Sequence, residues 1–269
     1  MGKSGFTLQK SCGVPYYSCR ELEALPRLRH GFSTRHDGVS GTGGSSFNLG
    51  CVPWDSPERV RENRQRFLAA LNLEHARLAT LHQIHSDRVH IIKDNSGQWN
   101  RSDGDAMCTR TENVALAVQI ADCVPVLLAD PEHGAVAAVH SGWRGTLKGI
   151  LPKTIQKMAR EYDSDPSRIL IALGPGIRAC CFEVGPEVAG PFEEQYPGCS
   201  LTKPPPGGSQ KRFLDLFKAL QIQMNRAGVP VENRFDLGVC TCCHTGEFFS
   251  HRAEGAAAGR MLAVIGLFR

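Results

Sequence analysis

The 269-residue chain lacks a long hydrophobic run, because no stretch approaches the roughly 18 to 20 consecutive apolar residues that a transmembrane helix needs. Its first residues, MGKSGFTLQKSCG, contain no apolar segment of the kind found in secretory signals. Phe6 stands where a myristoylation signal requires Ser or Thr. We therefore expect a cytoplasmic protein that neither spans nor is anchored to a membrane.

A strong net charge is also absent. Lys and Arg total 31 against 27 Asp and Glu, which gives a net charge of +4, and there is no basic run or aromatic platform. This balance excludes nucleic acid as the expected main partner. The apolar content of 41% and charged content of 22% are those of an ordinary globular protein.

Cysteine, in contrast, is abundant, with eleven residues. Disulfides are not expected in a reducing cytosol, so most of these thiols are interpreted as small buried hydrophobic groups. The segment CTCCHTGEFFSHR (240–252) resembles a metal knuckle, but no Cys-x-x-Cys partner lies at a finger spacing. The nearest pair, Cys180 and Cys181, is adjacent, and neighbouring strand residues point to opposite faces. The sequence therefore favours structural packing for this group.

Apolar spacing and turn residues predict the elements of the fold. Helices are predicted within 55–73, 142–162 and 212–228, the second kinked at Pro152. Strands are predicted within 78–94, 113–141, 167–177 and 260–268, and loops rich in Gly, Ser or Pro over 38–50 and 203–211.

These strands interleave with helices without a regular βαβ repeat. We therefore predict an α/β fold, a single domain of mixed β-sheets layered with α-helices. Residues 1–29 are predicted to be a lead-in segment and residues 30–269 the catalytic domain. The sequence leaves the oligomeric state open.

Cys123 and His140 are the first candidates for chemistry. Cys123 sits in ADC between two apolar strands, and His140 ends the next strand after one turn. A hairpin of this kind brings both side chains to one end of a sheet, where ligand sites collect. A thiol beside an imidazole is the core of a Cys–His nucleophile pair. Alternatively both bind a metal with His85 of HQIHSDRV, since two His and one Cys leave one zinc position open.

HSGWRG offers an anion site. Gly142 and Gly145 allow a ligand to approach the backbone, and Arg144 can bind phosphate or carboxylate with two hydrogen bonds. The alternative is that the two glycines only form a turn and that Arg144 is an ordinary surface residue.

Several ordered motifs together closely resemble one family. They are HGFSTR, FNLG, LHQIHSDRV, DGDAM, ADCVPVLLADP, VHSGWRGT, LGPGI with CCFEVG, and FFSHR with GRMLAVIGL. The chain resembles, from about residue 30 onward, the YfiH/YlmD-like family, also described as a multicopper polyphenol oxidase domain and a peptidoglycan editing factor. Its mammalian member is the laccase domain-containing protein. The resemblance implies a fold related to a bacterial toxin deamidase.

The resemblance also implies a site and an activity. The metal ligands would be His85, Cys123 and His140, holding zinc. The activity would be phosphorolysis of adenosine, inosine and methylthioadenosine with inorganic phosphate, together with adenosine deamination by water activated at the metal. The carboxylic acid candidates are Asp105, Asp122 and Glu183.

A cationic cradle for phosphate is expected from Arg144 and Arg35, with Asn48 as a hydrogen-bonding neighbour. The alternatives are a metal-free Cys–His hydrolase acting on peptidoglycan precursors and a non-enzymatic zinc-binding protein.

The laccase description can be checked against the histidines. A laccase binds four coppers through His-x-His pairs, and none of the ten histidines is separated from another by a single residue. That copper cluster is therefore excluded. A single His₂Cys site can still take Cu²⁺, which binds such ligands more tightly than zinc does, so copper-dependent phenol oxidation is expected only as a side activity.

Overall fold

The computed structural model describes residues 5–41, 46–94, 102–201 and 211–268. The predicted loop at 203–211 lies outside these ranges except for its last residue, as do residues 42–45 of the predicted loop at 38–50. Within the described ranges, no helix combines the length and apolar character needed to cross a bilayer.

Strands dominate the described part of the chain. They are β1 (Phe6–Ser11), β2 (Val14–Cys19), β3 (Leu28–Ser33), β4 (His36–Ser40), β5 (Arg77–Ala79), β6 (Val89–Ile91), β7 (Ala106–Thr109), β8 (Val114–Ile120), β9 (Val124–Asp130), β10 (Ala135–Ser141), β11 (Leu170–Leu173), β12 (Glu183–Val184), β13 (Ser200–Leu201), β14 (Arg212–Leu214), β15 (Arg234–Asp236) and β16 (Met261–Leu267). The helices are α1 (Arg20–Glu23), α2 (Pro57–Ala70), α3 (Trp143–Leu147), α4 (Ile150–Tyr162), α5 (Pro186–Gln195), α6 (Leu216–Arg226) and α7 (His251–Glu254).

Two six-stranded sheets of mixed direction form the centre of the molecule. The first has the order β1-β2-β3-β16-β8-β5, and its β5–β8 pair is parallel. The second has the order β15-β11-β9-β10-β7-β6, with parallel pairs at both edges. A small third sheet has the order β12-β14-β13.

The two large sheets pack face to face, and helices cover their outer faces. Leu116 of β8 and Leu127 of β9 belong to the core between the sheets. Helix α2 packs on the outer face of the first sheet, and α4 and α6 pack on that of the second. Because β8, β9, β10 and β16 are buried on both faces, their sequences are almost continuously apolar.

The helix boundaries follow from local chemistry. The Ser56 hydroxyl accepts a hydrogen bond from the Arg59 amide at 3.3 Å, and Pro57 occupies the first helical position of α2. The predicted kink at Pro152 is wrong. The helical segment breaks instead at Gly149, whose φ of 77° is accessible to glycine, and Pro152 lies in the first turn of α4, where its missing N–H costs nothing.

The predicted mixed α/β architecture is confirmed, as are the helix within 55–73 and the strands within 113–141 and 260–268. The sequence analysis missed the hairpin of β1 and β2, which extends the first sheet through β3. Whether residues 1–29 are a separate lead-in segment stays a prediction.

Candidate functional site

Three of the predicted site residues, His85, Cys123 and His140, meet at one edge of the large sheets. The Cys123 Sγ atom lies 3.8 Å from His85 Nε2, and the two imidazole rings are edge to face with centroids 4.9 Å apart. One potential ligand atom from each residue lies within 4.8 Å of the others. The side chains therefore form one cluster, although they come from three separate segments.

The topology explains this convergence. Strands β9 and β10 form an antiparallel hairpin in which His140 pairs with Pro125, so Cys123, one residue before β9, stands at the same hairpin end. His85 lies in the connection from β5 to β6, and Cys123 in the connection from β8 to β9. Both connections pass from the first sheet to the second. The cluster thus lies at the seam between the sheets.

Asp105 links two members of the cluster, His85 and His140, through hydrogen bonds. This fully buried residue precedes β7, and its Oδ1 atom lies 2.8 Å from His140 Nδ1. The carboxylate also accepts the amide N–H of His85 at 3.0 Å and the amide and hydroxyl of Ser86 at 2.5 and 2.7 Å. One side chain therefore orients the His140 ring, leaving its Nε2 for a ligand, and fixes the backbone that carries His85.

Two backbone positions at the site adopt left-handed conformations that are uncommon for residues other than glycine. They are His85, with φ of 58°, and Asp122, with φ of 86°. Such positions persist where the surroundings determine them. The Asp122 carboxylate accepts hydrogen bonds from the hydroxyls of Thr241 and Ser250, both at 2.7 Å, and from the Arg252 amide at 2.6 Å. The segment that carries Cys123 is therefore fixed before any ligand binds.

The electrostatics of the cluster favour a thiolate. Burial raises the pKa of the Cys123 thiol, but His140 and His85 outweigh burial and lower this pKa to about 6. Burial lowers the pKa of His140, but Cys123 and Asp105 reverse the effect and raise it to about 9. Burial also raises the pKa of Asp105, and hydrogen bonds from His140 and Ser86 lower it to about 2. The metal-free site thus holds a thiolate–imidazolium pair near neutral pH.

This pair predicts how metal affinity depends on pH. Between about pH 6 and 9, Cys123 is a thiolate but His140 carries a proton that metal must displace. Zinc affinity should therefore rise about tenfold per pH unit in this interval, and more steeply below it, where Cys123 also loses a proton. Calorimetric zinc titrations of metal-free protein, carried out in buffers of different ionisation enthalpy, measure the number of protons released on binding. An affinity that is flat between pH 6.5 and 8.5 would contradict the assigned pair.

The residues present fit a zinc ion. Ligand bonds of about 2.3 Å to sulfur and 2.05 Å to nitrogen place the two atoms about 3.6 Å apart at tetrahedral angles, close to the observed 3.8 Å. Gly142 makes the close packing feasible, because a Cβ atom there would lie 2.7 Å from His85 Cδ2 and 3.1 Å from Cys123 Sγ. Three protein ligands leave a zinc position for water or substrate, as in catalytic sites.

The cluster opens into a pocket of about 370 Å³. Its walls are Cys51, Leu81, His82, Gln83, His85, Gln119, Ala121, Cys123, His140 and Arg260. Arg260 supplies the permanent cation among these lining residues, and its own hydrogen bonds run from the guanidinium to the carbonyls of Ala258 and Gly259 at 2.8 and 2.9 Å. The pocket therefore combines an edge that could hold a metal ion with a positive charge.

Sequence reasoning missed Arg260 and undervalued Gln83. Gln83 and Gln119 form a reciprocal pair: the Gln83 amide donates to the Gln119 carbonyl at 2.8 Å, and its oxygen accepts the Gln119 amide at 2.7 Å. The polar Gln83, two residues before His85, was a usable signal. Arg260 belongs to the motif GRMLAVIGL, but it stands just before a buried strand and far along the chain from the other residues, so nothing in the sequence linked it to them.

Asp122, Glu183 and Asn48 do not line this pocket. Asp122 is held in the network described above. Glu183 lies on β12 and bonds to Lys211 at 2.7 Å. The fully buried Asn48 bonds to Gly50 and Asp55, and its oxygen accepts the Arg260 amide at 2.8 Å. Asn48 therefore contacts the backbone of Arg260, and its expected contact with phosphate stays a prediction.

The two predicted phosphate-binding arginines also lie outside the pocket walls. Arg35 stacks on Phe249, with its guanidinium carbon 4.4 Å from the ring centroid, and pairs with Glu254 at 2.9 Å. Arg144 is exposed and stacks on Trp143 at 4.2 Å. Their placement does not support the cradle that the sequence predicted.

Comparison with known families identifies a match over most of the chain. The family model described as multi-copper polyphenol oxidoreductase laccase matches residues 29–268. A curated relative, purine nucleoside phosphorylase of Deinococcus radiodurans, is 39% identical over 258 residues, covering 96% of this chain and 94% of the relative. Purine nucleoside phosphorylase LACC1 of Mus musculus is 32% identical and covers 88% of this chain and 55% of the relative.

Solved structures share the architecture. The crystal structure of YlmD from Geobacillus stearothermophilus matches with a TM-score of 0.88 at 28% identity, covering 99% of this chain and all of that one. The Bacillus licheniformis hypothetical protein YfiH matches with a TM-score of 0.87 at 29% identity, covering 98% of this chain and all of that one. The described fold is thus that of YlmD and YfiH.

Proposed function

The chain belongs to the family described as multi-copper polyphenol oxidoreductase laccase, the YfiH/YlmD-like family, and on this premise we propose that it is a metal-dependent purine nucleoside phosphorylase. Relatives with that name at 32–39% identity support the reaction class. The metal would be zinc, held by His85, Cys123 and His140. The substrates would be adenosine, inosine and methylthioadenosine, with adenosine deamination as a second activity.

One observation carries the proposal. The side chains of His85, Cys123 and His140, which could hold a metal ion, line the same pocket as the guanidinium-bearing Arg260. Such a combination suits phosphorolysis, because the cation can hold the anionic nucleophile and the edge that could hold a metal ion can polarise the sugar or the base. A pocket of about 370 Å³ is in the size range of small-molecule sites.

When bound, zinc would supply a Lewis acid and lower the pKa of a bound water towards about 7. The protein residues supply the remaining functions. Arg260 would hold phosphate through charge-assisted hydrogen bonds. Asp105 would act as a positioning residue, because its carboxylate keeps a proton on His140 Nδ1 and directs Nε2 into the site.

In phosphorolysis a phosphate oxygen attacks C1′ of the ribose, and the bond from C1′ to N9 breaks. The electron pair of that bond leaves with the purine, which takes up a proton, and the sugar is released as ribose 1-phosphate. The reaction needs no redox partner. Methylthioadenosine would react in the same way and give methylthioribose 1-phosphate.

Product analysis tests the proposed function. Zinc-loaded protein is incubated with adenosine, inosine or methylthioadenosine, with and without phosphate, and bases and sugar phosphates are separated by chromatography. Phosphate-dependent release of adenine or hypoxanthine supports phosphorolysis, and inosine formed from adenosine without phosphate supports deamination. A protein that holds zinc at His85, Cys123 and His140, shown by the loss of one ion in Cys123→Ala, but converts none of these nucleosides would refute the proposal and favour a non-enzymatic zinc-binding role.

Replacing Arg260 by Gln should raise the KM for phosphate about tenfold or more and leave the zinc content unchanged. The reason is the loss of a charge-assisted hydrogen bond, whose net contribution is about 1.5–3 kcal/mol. Arg144→Gln is the matched control, because Arg144 is exposed and stacks on Trp143. Steady-state kinetics with varied phosphate measure both variants. If only Arg144→Gln raised the KM for phosphate, phosphate would bind at Arg144, as the sequence predicted, and not at Arg260.

A metal-free Cys–His hydrolase acting on peptidoglycan precursors is the second candidate. The lowered pKa of Cys123 and the raised pKa of His140 favour it, since a thiolate–imidazolium pair is the resting state of such nucleophiles. The two candidates differ in their response to reagents. Inactivation by iodoacetamide together with insensitivity to chelators and to His85→Ala would favour the hydrolase.

Copper loading addresses the oxidase side activity. The same two imidazoles and one thiolate bind Cu²⁺ more tightly than Zn²⁺. Phenol oxidation that appears only in copper-loaded protein and disappears in Cys123→Ala would assign it to this site.

A further inference from the structure

Four cysteines outside the described pocket form a second cluster. Cys180 and Cys181 come from the turn after β11, and Cys240 and Cys243 from the segment after β15. The Sγ atom of Cys243 lies 3.5 Å from that of Cys180 and 3.3 Å from that of Cys181, and all four sulfur atoms lie within 4.8 Å of one another. The cluster shares no residue with the His85–Cys123–His140 cluster.

The local backbone explains how adjacent cysteines reach one point. Residues 179–181 form a turn, in which the Cys181 amide bonds to the Arg178 carbonyl at 2.9 Å. Cys180 and Cys181 therefore do not alternate between two faces as adjacent strand residues do, contrary to the expectation from the sequence. Gly176 bridges to Cys240, and the Thr241 amide bonds to the Gly176 carbonyl at 3.2 Å. This link holds the two cysteine-bearing segments together.

The sulfur arrangement matches one coordination geometry. A tetrahedral zinc ion with bonds of about 2.3 Å to four sulfurs places neighbouring sulfurs about 3.8 Å apart. The separations of 3.5 and 3.3 Å from Cys243 are somewhat shorter than this value, and no separation in the group exceeds 4.8 Å, so small side-chain rotations would bring all four atoms to bonding distance. Tetrahedral coordination by four sulfurs is typical of zinc and of iron–sulfur sites. Because the four sulfur atoms converge on one place, they suit a single metal ion.

The surroundings stabilise negative charge at Cys240, where burial is outweighed by backbone N–H donors that lower the pKa of the thiol, whereas burial raises the pKa of Cys180 and Cys181. The Arg178 amide donates to Cys240 Sγ at 3.4 Å. The guanidinium of Arg252 donates to the carbonyls of Cys181 and Glu183, both at 3.0 Å, which places a cation beside the cluster. Because four thiolates and one Zn²⁺ carry a net charge of −2, such donors lower the free energy of the occupied site.

We propose that Cys180, Cys181, Cys240 and Cys243 bind one Zn²⁺ ion in a closed structural site. All four coordination positions are taken by protein, so the ion does no chemistry on a substrate. Its role is to hold the segment 240–252 against the turn at 179–181. That segment also supplies Thr241, Ser250 and Arg252 to the Asp122 carboxylate, next to Cys123. The site thus stabilises the backbone around the pocket and is independent of the proposed reaction.

Metal counting in the Cys123→Ala variant isolates this site. Wild-type protein prepared with reductant and excess zinc should hold about two ions per chain, and Cys123→Ala about one. In the Cys123→Ala background, Co²⁺ should produce the thiolate-to-cobalt charge-transfer band and the strong visible absorption of tetrahedral sulfur coordination. Zinc should then displace the cobalt and remove both features.

Two further substitutions in that background identify the ligands. Cys243→Ser should lose the remaining ion, and Cys180→Ser, at an exposed position that tolerates change, should lose the tetrahedral cobalt spectrum. Cys242→Ser is the matched control, because Cys242 is adjacent to Cys243 in the chain but lies outside the four-sulfur group. It should keep one ion.

Three results would overturn the proposal. The first is a Cys123→Ala protein that retains no metal and gives no sulfur-coordinated cobalt spectrum. The second is an intact mass that shows a disulfide among these thiols in protein purified under reducing conditions. The third is equal loss of metal in Cys242→Ser and Cys243→Ser.

Discussion

Replacing Cys123 by alanine should remove the metal held with His85 and His140 and lower nucleoside turnover at least about 100-fold. The expected loss exceeds that for a residue that only orients a ligand, which is about 10–100-fold. The physical reason is that two imidazoles alone do not provide the charge or the third bond of a catalytic zinc site. Metal analysis and phosphorolysis of inosine, measured on the same preparation, check both parts of the prediction.

Cys51→Ala is the matched control for this experiment. Cys51 also lines the pocket, but it is exposed and is not part of the ligand cluster. Its removal should leave metal content and turnover close to those of the wild type. If Cys123→Ala lost turnover but kept its full metal content, the thiol would act as a nucleophile and the metal assignment would fail.

Asp105→Asn should lower zinc affinity about 10–100-fold and reduce kcat even when the site is saturated with metal. Asparagine matches the carboxylate in shape but presents an amide N–H to one of its partners, either His140 Nδ1 or the Ser86 donors. One donor then faces another inside the protein, which costs about 1–3 kcal/mol of folding free energy. The His140 ring also loses the carboxylate that fixes its tautomer.

Asp130→Asn separates the effect on the site from the effect on stability. Asp130 is buried at the other end of the same hairpin, bonds to His133 Nδ1 at 3.0 Å and accepts two backbone amides. Its substitution should lower the thermal midpoint by a similar amount without changing zinc affinity. Equal zinc affinities for the two variants would show that Asp105 has only a structural role.

The convergence of Cys123 and His140 could be predicted because it follows from local pattern. Two apolar runs separated by one turn form a hairpin, and the register then fixes which ends meet. The sequence offered His85 as a third ligand only in one of two alternatives, and the family resemblance favoured that one, since the sequence does not show that the His85 loop crosses between the sheets. Arg260 could not be predicted, because its contact with the pocket depends on where the last strand lies within the first sheet.

The missed elements have physical explanations as well. Strand β1 lies at the sheet edge, where alternate side chains face solvent, and Pro15 is the second residue of β2, so neither strand carries a strong apolar pattern. Helix α5 contains Pro191, a residue that normally argues against a helix interior. For the second cysteine cluster, the error was the assumption of a strand where the chain turns.

The His85–Cys123–His140 cluster lies between the two large β-sheets, so its affinity for zinc should depend on how the sheets are aligned. His85 and Cys123 lie where the chain leaves the first sheet, whereas His140 belongs to the second. A sliding motion of one sheet over the other would spread the donor atoms apart. Enlarging or truncating side chains in the core between the sheets, such as Leu116 or Leu127, should therefore change the zinc affinity, although neither residue contacts the ion. The zinc affinity would then be a measure of how well the two sheets are aligned.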